Sequence, residues 1–135
     1  MERPLPPRDG TLNADFWAEV ARAGRLVFQR CDACDSFRHP PRTLCAGCGS
    51  EAFRWAPSTE RGEIFTWTVT HQAMYPVFAK DVPYAVVVTE LEEGVRLVSG
   101  LRDLDPAGLR LGLPVEVVLE PAGEGLLLPY VRPRT

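Results

Sequence analysis

The chain has 135 residues, the size of one domain or of a small module joined to a compact barrel. Hydrophobic residues make up 45% and charged residues 24%, which excludes a disordered chain, and no apolar run approaches the roughly 20 residues of a membrane-spanning helix. The net charge of −3 is uneven: residues 22–61 carry seven arginines against four acids, while residues 62–135 carry ten acids against six bases, so the second half lacks the basic surface of a nucleic-acid binder.

The first ten residues, "MERPLPPRDG", contain no apolar core of a secretory signal, which points to the cytoplasm. In that compartment cysteines serve as thiolates more often than as disulfides. Residues 1–12 are proline-rich and read as an extended arm. "NADFWAEVARAG" reads as a short helix, with Asn13 as N-cap, Asp15 in the first turn and Gly24 at the left-handed position after the end. Phe16, Trp17 and Val20, with Leu12, make one apolar stripe. Two uses are open for it: packing on the chain itself, or docking on a partner.

"RLVFQRC" has the β-prone composition of a strand entering the first cysteine pair, and "SFRH" reads as its return. "PPR" cannot sit inside a sheet, because proline has no N–H to give, so it forms an extended link. "AFRWAP" is one more short strand. From Gly62 the pattern changes to longer strands. "GEIFTWTVTHQAM" alternates, with Phe65, Trp67 and Val69 expected on one face and Thr66, Thr68 and Thr70 on the other. "PYAVVVTELEEG" and "VRLVSGL" follow, and Gly100 inside the latter suggests a bulge or a tight bend. "DLDPAGLRLG" is a loop with a helical turn, and "PVEVVLEPAG" and "LLLPYV" complete five strands. A helical turn between the third and fourth of five strands is the OB-fold order. The expected architecture is mainly β: an N-terminal arm and helix over residues 1–24, a rubredoxin-like zinc ribbon over 25–60, and a five-stranded OB-fold barrel over 61–135.

The four cysteines, Cys31, Cys34, Cys45 and Cys48, stand as C-x2-C, ten residues, C-x2-C. Each pair turns two thiolates toward one point, and two such knuckles supply the tetrahedral four-sulfur set that zinc prefers. A catalytic zinc keeps a position open for water, whereas four cysteines close the shell, so the expected ion is one structural zinc. His39 lies within the ribbon and is expected to be a surface or packing residue rather than a ligand. The sequence contains no G-x-S-x-G, no H-E-x-x-H and no phosphate-cradling glycine loop. No residue is assigned a catalytic role.

Taken in order, the "FW" helix, "CDAC", "HPPRTLCAGCGS", "FRW", "RGEIFTWT", "PYAVVVTELEEGVRLVSGL" and "LGLPVEVVL" resemble a family of zinc-ribbon-plus-OB-fold proteins once grouped as domain of unknown function 35. The resemblance runs from about Phe16 to Val131. It implies an accessory subunit rather than an enzyme, paired with a thiolase-superfamily partner of the sterol-carrier type. That partner would be an acyl-CoA aldolase or a thiolase, acting in steroid side-chain or other acyl-CoA breakdown. A two-plus-two heterotetramer is the expected assembly, with CoA or acyl-CoA near the interface. The positions expected to meet the partner or CoA are Phe16, Trp17, Arg42, Tyr75 and Tyr84. Arg25, Arg30, Arg38 and Arg54 add positive charge to the ribbon. Two further readings belong to other classes: a nucleic-acid-binding module and a stand-alone CoA carrier.

Overall fold

The computed structural model describes residues 4–6 and 10–135, so part of the proline-rich arm, residues 1–3 and 7–9, lies outside the described residues. Helix α1 spans Leu12–Ala23. Its N-cap is Thr11 rather than Asn13: the Thr11 hydroxyl accepts the Ala14 N–H at 3.0 Å, and Asn13 falls inside the first turn. Both residue types cap well, and the earlier start turns Leu12 onto the half-buried side. Gly24 ends the helix at φ 67°, and its N–H reaches the Val20 carbonyl.

Three short strands follow: β1 (Val27–Cys31), β2 (Phe37–Arg38) and β3 (Phe53–Pro57), forming an antiparallel sheet in the order β2–β1–β3. The remaining strands are β4 (Arg61–Thr70), β5 (Tyr84–Leu91), β6 (Arg96–Leu101), β7 (Pro114–Gly123) and β8 (Leu126–Pro133). They close a barrel in the order β4–β5–β6–β8–β7, with β6 and β8 parallel and β4 returning to β7. A 3-10 turn at Pro106–Gly108 lies between β6 and β7. This is the five-strand OB topology anticipated from strand count and the position of that turn.

Two expectations inside the barrel need correction. The β4–β5 pairing slips between Ile64 and Thr66, so Phe65 is an extra, outward residue. It is 41% exposed beneath the Arg96 guanidinium, 3.7 Å from the ring centre. Ile64 is buried in its stead, and Trp67 packs on the interior cluster. Of the bulge or tight bend suggested at Gly100, the bulge is absent: its pairing with Val86 is regular, and the Tyr130 ring occupies the space a side chain would need. A Cβ on Gly100 would lie 2.7 Å from two ring carbons.

Two apolar clusters hold these parts together. One fills the barrel with Ile64, Ala85, Val87, Leu109, Val115 and Val131. The other joins all three parts: Phe16 and Val20 from α1, Leu26, Val27 and Phe28 at β1, and Leu91, Val95 and Leu97 from the barrel. Each such side chain contributes roughly 1.5–3 kcal/mol by leaving water. The β3–β4 link is fastened by hydrogen bonds as well. Glu93 accepts from the Ser58 hydroxyl and from the Thr59 N–H and hydroxyl, and Glu60 accepts the Leu26 N–H at 3.1 Å.

Candidate metal centre and partner surface

Two knuckles of the same construction face each other. In the first, the Asp35 N–H bonds the Cys31 carbonyl at 3.0 Å and the Cys31 N–H bonds the Ser36 carbonyl at 2.9 Å. In the second, the Gly49 N–H bonds the Cys45 carbonyl at 2.8 Å and the Cys45 N–H bonds the Ser50 carbonyl at 2.9 Å. Asp35 and Gly49 sit at φ 64° and 77°, the left-handed turn that closes each loop. The four sulfurs lie within 4.8 Å of one another, with Cys31–Cys48 and Cys34–Cys45 at 3.6 Å. A tetrahedron of zinc–sulfur bonds of about 2.3 Å has sulfur–sulfur edges of about 3.8 Å, so the cage has the right size. A disulfide would need about 2.05 Å. The donor set is soft, complete and closed, as a structural zinc requires.

The surroundings favour the thiolate at Cys31 and Cys45. The Ser36 hydroxyl lies 3.0 Å from the Cys34 sulfur and 3.4 Å from that of Cys45. The Ser36 hydroxyl, followed by the N–H groups of Cys48 and Gly47, pulls the Cys45 thiol down to about 5. The Cys34 N–H heads the groups that lower Cys31. Cys48 moves the other way, to about 11: the Ser50 N–H favours its thiolate, but the sulfur of Cys31, burial and the other sulfurs outweigh it. Four thiolates cannot share this space without positive charge between them, which a dication supplies. Outside the cage, Arg54 on β3 bridges Asp32 at 2.9 Å and Asp35 at 2.8 Å, clamping the first knuckle to the sheet. Its guanidinium, and then that of Arg30, holds the Asp35 carboxyl below its ordinary range.

The other anticipated positions scatter. Phe16 is 2% exposed and packs on Phe28, Trp55 and His39, so it faces the interior and no partner can reach its ring. Trp17 is half-buried, edge-on to Phe16 at 5.0 Å. The Arg42 side chain is exposed on the ribbon. Tyr75 is 57% exposed in the β4–β5 connection, beside Met74 at 81%, whereas Tyr84 is half-buried at the start of β5. His39 is a packing residue, with ring centres 5.0 Å from Phe16 and 4.9 Å from Phe28.

Three residues that organise the ribbon were not singled out in advance for that role. Gln29 is fully buried, and its amide accepts the Arg42 N–H at 2.8 Å and donates to the Arg42 carbonyl at 2.9 Å. It thereby ties the "HPPR" link to β1, aided by Arg38 Nε on the same carbonyl at 3.1 Å. A glutamine within "LVFQRC" was the available sign, since a polar side chain in an apolar strand must find partners. Arg54 acts through residues distant in sequence, whereas Ser36 reaches both Cys34, two residues before it, and Cys45 of the other knuckle.

A ribbon of four cysteines joined to a five-stranded OB barrel defines the class of zinc-ribbon–OB-fold proteins. Residues 18–54 match the family model described as the ChsH2 rubredoxin-like zinc ribbon domain, and residues 55–120 match the ChsH2 C-terminal OB-fold domain. The chain belongs to this ChsH2, or DUF35, family. It is 30% identical over 103 residues to a "DUF35 domain-containing scaffold protein" of Methanocaldococcus jannaschii, covering 76% of this chain and 72% of that one. It is 39% identical over 131 residues to a "Probable enoyl-CoA hydratase alpha subunit" of Thermomonospora curvata, covering 96% of this chain. Over 115 residues, 85% of this chain, it is 38% identical to the "3-oxo-4,17-pregnadiene-20-carboxyl-CoA hydratase alpha subunit" of Mycobacterium tuberculosis. It spans 40% and 35% of the lengths of those two proteins. Among solved structures, a chain of the "Ltp2-ChsH2(DUF35) aldolase" superposes with a TM-score of 0.82 at 38% identity, over 94% of this chain and 98% of that one.

Proposed function

We propose that this chain is a non-catalytic accessory subunit that binds and supports a thiolase-superfamily enzyme of the sterol-carrier type, an acyl-CoA aldolase or thiolase. The breakdown of steroid side chains or related acyl-CoA thioesters in the cytoplasm is the setting. The observation that carries this reading is the close match, in fold and in sequence, to the DUF35 chain of an aldolase complex. The closed four-sulfur shell supports it, because a zinc with no open position holds structure and activates no water.

In this reading the arm and helix (residues 1–24), the ribbon (25–60) and the barrel (61–135) act together as a scaffold, and Cys31, Cys34, Cys45 and Cys48 hold the zinc. Trp17 and Arg42 face the partner. Tyr75 and Tyr84 lie toward the CoA thioester at the interface, in a two-plus-two assembly. Co-expression with a thiolase-like partner, size-exclusion chromatography and an aldol-cleavage assay test it. Co-elution, with cleavage that depends on this chain, is the expected result. A partner fully active alone and eluting separately would overturn it. A second reading, service within an enoyl-CoA hydratase, is favoured by the two relatives named as hydratase alpha subunits. Hydration of an enoyl-CoA by the reconstituted complex separates the two.

A further inference from the structure

Arg38 of β2 carries a charge into the interior of the ribbon. It is 3% exposed, and its Nη1 and Nη2 atoms are buried with no hydrogen-bond partner among the described residues. Only Nε is satisfied, by the Arg42 carbonyl at 3.1 Å. A buried cation with no negative charge near it is strongly destabilising, so this guanidinium calls for one. The strand register shows where it lies. Arg38 stands opposite Gln29 of β1, and Cys31, two residues further along β1, stands opposite Phe53 of β3. Residues paired across strands, and residues two apart on one strand, share a face of the sheet. The Arg38 guanidinium is 5.2 Å from the centre of the Phe53 ring. To come that close to β3 it crosses β1, which lies between β2 and β3. It therefore passes over the face of β1 that carries Cys31.

The acids of the first knuckle do not serve as its partner, because Asp32 and Asp35 are exposed and held by Arg54. The cysteine cage offers what they do not: four thiolates around one dication leave two net negative charges in the ribbon. We propose that Arg38 is the internal counter-charge of this zinc centre. Its guanidinium makes no hydrogen bond to a sulfur and acts through space, which a buried setting against an aromatic ring permits. The benefit is mutual. Metal-bound thiolates give Arg38 a negative partner that neutral thiols cannot, and Arg38 in return favours the metal-bound state. This inference rests on the metal centre and stands apart from the proposed accessory role.

The test measures zinc affinity of the full chain by competition with a chromogenic chelator. Arg38→Met keeps an apolar stem and removes the charge, and should weaken zinc about tenfold. Arg38→Lys keeps the charge and loses the planar fork, and should stay within about threefold of wild type. Cys48→His leaves a three-cysteine, one-histidine set that zinc also accepts, with one net negative charge in place of two. In that background Arg38→Met should cost only about threefold, because half of the charge it answers is gone. Far-ultraviolet dichroism of each loaded chain checks the fold, and Arg38→Gln replaces Arg38→Met if the latter does not fold. Zinc affinity unchanged or raised in the neutral variant would overturn the proposal. So would an equal loss in the two cage backgrounds, or a loss in Arg38→Lys as large as that in the neutral variant, since either would assign the effect to packing or to the Arg42 hydrogen bond.

Discussion

His39 is an imidazole placed where its charged form is unwelcome. It packs against the rings of Phe16 and Phe28, and burial, with a smaller push from the Arg42 guanidinium, brings its pKa down from the ordinary 6.5 to about 4. An unfolded chain takes up a proton on this residue as the pH falls through about 6.5, while the folded chain refuses it until about 4. The stability that a neutral His39 contributes is therefore complete above pH 6.5 and lost as the pH falls toward 4. The loss amounts to about 2 kcal/mol at pH 5. Urea unfolding of the zinc-loaded protein at pH 7.5 and pH 5.0 should show this extra loss relative to His39→Gln, which keeps a neutral polar side chain and carries no titration. Acid also protonates the cysteine thiolates, but that contribution is common to both proteins and cancels in the comparison. Equal pH sensitivity of the two would show that His39 is solvated.

The two cysteine knuckles were legible as elements because their chemistry is local. The spacing sets the loop, and the residue closing each loop, Asp35 or Gly49, is of a type that tolerates positive φ. The strand count and the helical turn at Pro106–Gly108 were legible for a similar reason, since proline, glycine and alternation act over a few residues. The slip at Phe65 was not, because a bulge is decided by the partner strand, and "IFTWTV" alternates equally well in either register. Nor was the fate of Phe16: a stripe at helical spacing says that something covers it, and only the tertiary structure says what. Ser36 belongs to the same category. Its hydroxyl lies within reach of two sulfurs from opposite knuckles, so Ser36→Ala removes the one hydroxyl that Cys34 and Cys45 share. Supporting groups of this kind are worth roughly 10–100-fold in metal affinity. Competition with a chromogenic chelator should show zinc leaving Ser36→Ala more readily by about tenfold, with far-ultraviolet dichroism unchanged in the loaded state. Arg54→Ala, which loosens the knuckle through exposed Asp32 and Asp35, should give a smaller effect of the same sign. An unchanged zinc affinity in Ser36→Ala would mean that the sulfurs need no help from that hydroxyl.

The molecule is organised around a core that helix, ribbon and barrel share. Phe16 and Val20 meet Phe28 of the ribbon and Leu91, Val95 and Leu97 of the barrel. This arrangement divides the aromatic pair of α1 between two tasks, and the division can be measured. Phe16 is 2% exposed, so Phe16→Ala leaves a cavity at the meeting point and should cost about 3–5 kcal/mol. Because that cavity touches all three parts, NMR signals from the ribbon and from the barrel should disappear in one denaturant transition, displaced together to lower concentration. Trp17 sits at the edge of the same cluster and is half-buried. Trp17→Ala should cost about 1–2 kcal/mol, a change within the ordinary range for point substitutions, and leave a folded chain. If Trp17 faces the enzyme partner, that folded chain should fail to co-elute with it, whereas Phe16→Ala should co-elute at temperatures where it remains folded. Co-elution of Trp17→Ala at wild-type strength would remove the helix from the interface and leave the exposed ribbon around Arg42 to carry the docking.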